Sequence, residues 1–280
     1  VWARSAYAGS QRYPVHWGGD CCTTFLHMAC QLRGGLSLGL SGVPFYSHDI
    51  GGFFLEGNPT LYARWAQFGL FSSHSRCHGV TPREPWEFGP EAEAIFRKYA
   101  KLRYRLLPYI YSCAVISART GLPMMRALVL EYQDDPNVRG LDSEYLFGES
   151  FLVAPVLDEG EERGVYFPQG RWIDYWTGRA HKGPAHITYH APLDTLPLFV
   201  KDGAIIPMGP EMSYVGERPT DPLTLDIYPA EKGSFTVYDE DRPPVEVACR
   251  QEEGRLTIEI GEFDARVEVV LHGLEQPQEV

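Results

Sequence analysis

Two aspartates near the N-terminus each lie in a glycine-rich turn. Asp20 closes the run WGGD (17–20), and Asp49 opens the run DIGGF (49–53). The glycines let the backbone turn sharply beside a flat aromatic ring, an arrangement that suits a carboxyl group facing a sugar. Asp49 also follows the apolar run 43–46, and the C-terminal end of a strand is where barrel enzymes keep their catalytic groups. The two glycine-rich runs therefore indicate catalysis or ligand binding by these carboxylates.

Further polar side chains accompany the two acids at predicted strand ends: Arg4, His16, His48, His74, Arg76 and His78. A metal hydrolase would use His74 and His78 as ligands, but the intervening Arg76 would repel a cation and no third ligand has matching spacing. A Ser-His-Asp hydrolase needs a G-x-S-x-G turn, which the chain lacks. Glycoside hydrolysis needs paired carboxylates, hydroxyl-binding Arg, His and Asp, and stacking aromatics. The sequence favours this last chemistry, predicts no metal or cofactor, and leaves the second catalytic acid unassigned.

The elements that would position these side chains alternate between short apolar runs and helical patterns up to about residue 120. We expect strands over 1–7, 13–17, 43–46 and 70–74. Strands that alternate with helices indicate repeated β-α units around a parallel sheet. Four such units up to residue 120 are too few to close a barrel.

Three helices are predicted between these strands. Thr23 or Thr24 caps the first, and the glycine pair 34–35 is expected to end it. Asn58, followed by a proline at the first helical position, begins the second. The third follows Pro90 and carries Pro108 within it, which should kink the helix.

The pattern changes after Pro123, where short apolar runs with a period of two are separated by Gly, Pro and Asp turns. This predicts an all-β region. We expect a proximal β-sandwich over 121–207 and a partial distal β-sandwich over 208–280. The fold class is then α/β plus all-β.

Composition excludes several classes of partner. The 280 residues are 44% hydrophobic and 22% charged, as expected of a globular protein. The net charge of −12 argues against nucleic-acid binding, which needs a basic face. No apolar run approaches 18 residues, so no membrane span is predicted. The six cysteines have no paired spacing, which favours free thiols in a reducing compartment.

Several strings in the chain resemble glycoside hydrolase family 31. They are RSAYAGSQRYPVHWGGD (4–20), LRGGLSLGLSGVPFYSHDIGGF (32–53), SHSRCHG (73–79), LRYRLLPYIYS (102–112), GLPMMRALVLE (121–131) and FGESFLVAPV (147–156). Within the family, the WGGDC and FYSHDIGGF versions most resemble the bacterial α-xylosidase branch. The resemblance covers about residues 1–210, and beyond it we see only a compatible β-domain.

The resemblance implies a (β/α)8 barrel followed by two β-sandwich domains, with residues 1–120 as the C-terminal half of the catalytic barrel. It also implies retaining hydrolysis of terminal α-linked xylose or glucose through a covalent glycosyl-enzyme. Asp20 matches the general acid/base of the family. Arg4, Asp49 and His78 match contacts to the hydroxyls of the sugar in the −1 subsite, whereas Trp17 and Phe53 match residues that line it.

The nucleophile of the family lies upstream of the motif that contains Arg4, and residues 1–3 cannot supply it. We therefore expect a C-terminal fragment that is inactive alone and exposes a sheet edge and an apolar face. The branch resemblance favours an α-xylosidase, and with the free thiols it favours a cytoplasmic homo-oligomer. The alternatives are a non-catalytic carbohydrate-binding protein, or an α-glucosidase or transglycosylase of the same family.

Overall fold

The N-terminal part of the chain carries short parallel strands between helices, and the remainder is mainly antiparallel sheet. A computed structural model describes residues 2–13 and 15–273. The helices are α1 (Phe25–Leu40), α2 (Pro59–Leu70), α3 (Gly89–Arg105) and α4 (Leu107–Thr120). The strands are β1 (His16–Trp17), β2 (Tyr46–Ser47), β3 (Asp49–Ile50), β4 (Arg76–Cys77), β5 (Met125–Ala127), β6 (Tyr145–Phe147), β7 (Phe151–Val153), β8 (Glu162–Asp174), β9 (Ala180–His190), β10 (Leu198–Lys201), β11 (Ile205–Met208), β12 (Leu223–Ile227), β13 (Lys232–Val237), β14 (Val245–Glu252), β15 (Arg255–Ile260) and β16 (Val267–Leu271). Within these residues, none of the helices is long and apolar enough to cross a bilayer.

The parallel strands lie side by side in the order of the chain. Ala3 forms a parallel bridge to His16, β1 pairs with β2, and β3 pairs with β4. Helix α1 connects β1 to β2, and α2 connects β3 to β4, so each is a β-α-β crossover. Of the predicted strand over 1–7, the described residues form only the bridge at Ala3, and residue 1 lies outside the described part of the chain. The carboxyl ends of these strands share one edge, where the polar residues follow.

Helix α1 begins where the sequence predicts and ends later. The hydroxyl of Thr24 accepts a hydrogen bond from the backbone N–H of His27 at 3.2 Å, which confirms the cap. The expected end at residues 34–35 is wrong, because the helix continues to Leu40. A Cβ at Gly35 would lie 2.6 Å from the ring of Tyr46, so the glycine lets α1 approach β2 closely.

Helix α2 also begins as predicted, since Asn58 Oδ1 accepts from the N–H of Leu61 at 2.8 Å. It runs to Leu70, and the expected strand over 70–74 is wrong. All residues from Leu61 to Leu70 are buried. Only Leu70 of the expected strand belongs to the end of this buried helix; residues 71–74 form a turn and bends, and the next strand begins only at Arg76.

The long helical pattern after Pro90 is divided into two helices, α3 and α4. The break falls at Leu106, and Pro108 lies in the first turn of α4, where its missing N–H is tolerated. The predicted kink is confirmed. Gly121 then ends α4 in the left-handed region at φ 78°.

After Pro123 the chain is mainly sheet, as the period-two runs predict. A six-stranded antiparallel sheet has the order β5-β6-β7-β10-β8-β9, and two three-stranded sheets follow, β11-β12-β16 and β13-β14-β15. The division into two sandwich domains at residue 207 stays a prediction, and residues 274–280 of the distal one lie outside the described part.

One buried arginine joins the helical region to the six-stranded sheet region. Arg64 on α2 is 1% exposed. Its guanidinium donates to four backbone carbonyls, those of Gly160, Ala191, Pro192 and Thr195. Because a buried charge needs such partners, α2 and the loops beside β8 and β9 are held as one packed unit.

Candidate active site

Asp20 lies in the loop after β1 and is paired with Arg4. Asp20 Oδ2 is 3.5 Å from Arg4 Nη1, with the two side chains 29% and 58% exposed. Gly19 between them has φ 78°, in the left-handed region, and a Cβ there would lie 2.6 Å from Arg4 Nε. Position 19 therefore needs glycine both for the turn and for the close approach of the arginine. Asp20 is the more accessible of the two predicted carboxylates.

Gly18 brings the same loop down onto α1 and β2. A Cβ at this position would lie 1.9 Å from Gln31 Oε1 and 2.5 Å from the hydroxyl of Tyr46. These two groups are themselves joined, since the Tyr46 hydroxyl donates to Gln31 Oε1 at 2.6 Å. The backbone N–H of Gly18 donates to the carbonyl of Ser47 at 3.1 Å. The loop that carries Asp20 thus packs against the buried, hydrogen-bonded side chains of Gln31 and Tyr46.

Asp49 is fully buried, in contrast to Asp20. Its side chain is 0% exposed, and Oδ1 accepts from Arg76 Nε at 2.7 Å. Among the described residues, Oδ2 has no hydrogen-bond partner. Burial raises the pKa of Asp49, and the hydrogen bond and charge of Arg76 oppose this increase. The charge of His78 lowers the same pKa and that of Asp20 raises it, so both groups lie near the Asp49 carboxyl.

Arg76 is a central residue that the predicted site omits. Its guanidinium carbon is 5.1 Å from the ring of Trp2 and 5.1 Å from the ring of Trp17. In the sequence, Arg76 is one of the polar side chains at predicted strand ends and an argument against a metal, but it is assigned no role in the site. The missing information is the parallel register that sets Asp49 opposite Arg76, 27 positions apart.

The aromatic residues of the predicted site lie around this pair. The ring of Phe53 is 5.3 Å from the imidazole of His78, and Trp17 lies over Arg76. Phe53 is placed by the turn through Gly51 and Gly52, and its N–H donates to the carbonyl of Cys21 at 2.9 Å. Gly52 has φ 79°, and a Cβ there would lie 2.8 Å from the backbone of Thr23. The turn thus brings the DIGGF run against the end of the WGGD loop.

Three strand-end histidines lie outside this group of contacts. His48 stacks on Phe68 at 4.2 Å and accepts from Trp65 Nε1 at 2.9 Å, and burial lowers its pKa to about 3. His74 contacts the hydroxyl of Ser73, and burial lowers its pKa to about 4. His16 is 2% exposed on β1. These histidines are packing residues in this structure.

Contacts join Arg4 to Asp20, Asp49 to Arg76, Arg76 to Trp17, and His78 to Phe53. The charges of Asp20 and His78 act on the Asp49 carboxyl, which relates these pairs to one another and adds Arg76 to the six predicted site residues. Two cavities of about 620 and 980 Å³ lie against the distal sheets and are not lined by residues of this cluster. In the part of the chain that the structure describes, no three His, Cys, Asp or Glu side chains converge as metal ligands.

This arrangement can exchange protons and bind hydroxyl groups. A partly exposed carboxyl, that of Asp20, is accessible to a ligand, and a buried ion pair lies beside it. Two aromatic side chains flank the polar groups and offer flat apolar faces, the surface that sugar rings prefer. The cluster therefore combines one accessible acid with a buried ion pair and two flat apolar faces.

Comparison with known proteins places most of the chain in one family. The model of the glycosyl hydrolases family 31 TIM-barrel domain matches residues 1–113, and the model of the family 31 C-terminal domain matches residues 121–206. An α-xylosidase of Saccharolobus solfataricus is 39% identical over 251 residues, covering 86% of this chain and 34% of the relative. An α-glucosidase 2 of Bacillus thermoamyloliquefaciens is 40% identical over 244 residues, covering 85% of this chain and 31% of the relative.

A solved structure is similar as well. The family 31 dextranase of Flavobacterium johnsoniae, complexed with glucose, superposes with a TM-score of 0.87 at 40% identity, over 92% of this chain and 35% of that one. The chain thus spans about a third of the length of the proteins it matches.

Proposed function

The chain belongs to glycoside hydrolase family 31, and we propose that the protein carrying it is a retaining α-glycosidase that removes terminal α-linked xylose or glucose. The observation that carries the proposal is the convergence of Asp20, Arg4 and the buried Asp49–Arg76 pair beside His78 at the ends of parallel strands. In barrel enzymes such a site is built at the C-terminal ends of the strands.

In this proposal Asp20 is the general acid/base. It donates a proton to the glycosidic oxygen as the bond breaks, and it later takes a proton from the water that attacks the glycosyl-enzyme. Its 29% exposure supports the role, because the carboxyl must reach both a leaving group and a water molecule. Asp49 is 0% exposed and cannot exchange with water in the same way.

Arg4, Asp49 and His78 bind sugar hydroxyls in this mechanism, and Trp17 and Phe53 line the subsite. Hydrogen bonds to charged partners strengthen as the ring flattens toward an oxocarbenium ion, which stabilises the transition state. Such groups must be held rigidly, and the Asp49–Arg76 pair and the Gly18–Gln31 contact support that requirement. The nucleophile comes from outside residues 1–280, so this chain alone is expected to be inactive.

Xylose is our preferred substrate, on the basis of the WGGDC and FYSHDIGGF motifs. The two sugars differ by a hydroxymethyl group, and a pocket discriminates a group of that size by about 1–3 kcal/mol. The test is the hydrolysis of p-nitrophenyl α-xyloside and α-glucoside by the full-length protein, with the anomer of the first product read by NMR. We expect a retained α-anomer and a higher kcat/KM on the xyloside.

Three other outcomes would correct the proposal at different levels. A higher kcat/KM on the glucoside would leave the chemistry intact and reverse the specificity. Transfer of the sugar to a second glycoside in place of water would identify a transglycosylase. Sugar binding without turnover by the full-length protein would favour the non-catalytic carbohydrate-binding alternative.

We also propose a cytoplasmic homo-oligomer. The six cysteines, at 21, 22, 30, 77, 113 and 249, are all described and unpaired, which fits a reducing compartment. Light scattering of the purified full-length protein tests the assembly, and a monomeric mass would contradict it. Cell fractionation tests the compartment.

A further inference from the structure

Arg76 and Asp49 form a cross-strand ion pair at the centre of the site cluster. The parallel register of β3 and β4 sets the two residues opposite each other, and Arg76 Nε donates to Asp49 Oδ1 at 2.7 Å. The carboxylate has no solvent exposure, and the arginine side chain is 29% exposed. An ionised carboxylate at such depth requires a charged, hydrogen-bonded partner, and Arg76 is that partner.

The other side of the same guanidinium faces two indoles. Its central carbon is 5.1 Å from the ring centroids of both Trp2 and Trp17, within the range of a cation–π contact. Arg76 therefore joins the buried carboxylate to the ring of Trp17, one of the proposed walls of the sugar subsite. A lysine would keep the charge but not the planar group that hydrogen bonds and stacks at once.

We propose that Arg76 is a positioning residue that fixes the carboxylate of Asp49 and braces the indole of Trp17 for sugar binding. The inference rests on the proposed function and deepens it, because it assigns a supporting role to a side chain outside the predicted site. The free Oδ2 of Asp49, buried and without a partner among the described residues, is the atom that this arrangement directs toward a ligand hydroxyl or another segment.

Several charged or titratable groups face Asp49 and set the pH behaviour of the pair: Arg76, His78, Asp20, Arg83, Cys21 and Tyr46. Burial raises the pKa of Asp49, and Arg76 supplies the two largest opposing contributions. Loss of Arg76 therefore raises the pKa further. A neighbouring arginine commonly lowers the pKa of an aspartate by about 1–3 pH units. At a pH below both pKa values, loss of that arginine therefore reduces the ionised fraction of the aspartate by about 10–10³-fold.

The test compares Arg76→Met and Arg76→Lys in the full-length protein, by the pH profile of kcat/KM on an aryl α-glycoside. We expect Arg76→Met to shift the acidic limb of this profile, the range in which kcat/KM rises with pH, to higher pH by about 1–3 units. The loss of activity should be largest at low pH. Arg76→Lys should keep the limb near its wild-type position and raise KM, because the charge remains and the stacking is lost. The matched control is Arg33→Met, which removes an exposed ion pair with Asp142 and should change neither quantity.

If Arg76 only stabilises the fold, its substitution would lower the amount of folded protein and leave the acidic limb of the pH profile in place. That result would overturn the proposal. A second measurement does not depend on turnover. The difference in melting temperature between wild type and Arg76→Met should grow between pH 4 and pH 8, because a carboxyl with a raised folded pKa destabilises the protein progressively as the pH rises from its unfolded pKa to its folded pKa. In an Asp49→Asn background the difference should become independent of pH. If the wild type hydrolyses no glycoside, the proposed function fails, and this comparison still decides the role of Arg76.

Discussion

Substitution of Gly18 by alanine should displace the loop that carries Asp20. A Cβ at Gly18 would lie 1.9 Å from Gln31 Oε1, whereas ordinary contacts begin at 3.4 Å, so about 1.5 Å of overlap must be relieved. Rotation of Gln31 alone does not relieve it, because the hydroxyl of Tyr46 is also only 2.5 Å away. The loop backbone must therefore move.

The expected loss follows from the size of that movement. A displacement of about 1 Å at a catalytic group costs on the order of 10²-fold in rate, so Gly18→Ala should lower kcat/KM of the full-length protein about 100-fold. The matched control is Gly34→Ala on α1, where an added Cβ meets nothing within 4 Å. It should be as active as wild type.

Removing the obstacles should restore activity. In the Gly18→Ala, Gln31→Ala, Tyr46→Phe triple variant the space for the Cβ is open. Its kcat/KM should be at least tenfold higher than that of Gly18→Ala, whose expected loss is about 100-fold. The Gln31→Ala, Tyr46→Phe double variant gives the reference for the cost of those two changes. If Gly18→Ala is within twofold of wild type, or if the triple variant recovers nothing, the reasoning from packing is refuted.

Two predictions concern stability. Burial raises the pKa of Glu144 from 4.5 to about 7, so its contribution to stability is present below pH 4.5 and is lost as the pH rises through 7. Glu144→Gln should have the wild-type free energy of unfolding at pH 4 or below and exceed it by about 3 kcal/mol at pH 8 in urea titrations; equal pH dependence in both proteins would contradict this. Asn58→Ala removes the cap of α2 and should lower the free energy of unfolding by about 1 kcal/mol, whereas Asn58→Asp, which keeps an acceptor, should not.

The features that the sequence predicts correctly depend on nearby residues. The caps at Thr24 and Asn58 involve hydrogen bonds over three positions, and Pro108 acts within its own helix. Short turns likewise fix the WGGD and DIGGF runs, whereas the set of candidate site residues comes from the resemblance to family 31. Local chemistry of this kind is visible in a linear string.

The features that the sequence misses depend on contacts between distant residues. Gly35 continues a helix because the ring of Tyr46 packs against it, and glycine alone indicates an end. Leu70 is the buried last residue of α2, and the short apolar start of the run 70–74 does not distinguish the end of a buried helix from a strand. Arg76 enters the site through strand register, which no local pattern reveals.

The proposal that Asp20 delivers a proton to the glycosidic oxygen is tested most directly by leaving-group dependence. The measurement is kcat/KM of wild type and Asp20→Ala, in the full-length protein, on a series of aryl α-xylosides or α-glucosides with phenols of increasing acidity. For a general acid, the loss in Asp20→Ala should be about 10²–10⁴-fold with the least acidic phenol and should shrink steadily as the phenol becomes able to leave without a proton. A loss of the same size across the whole series would contradict the account.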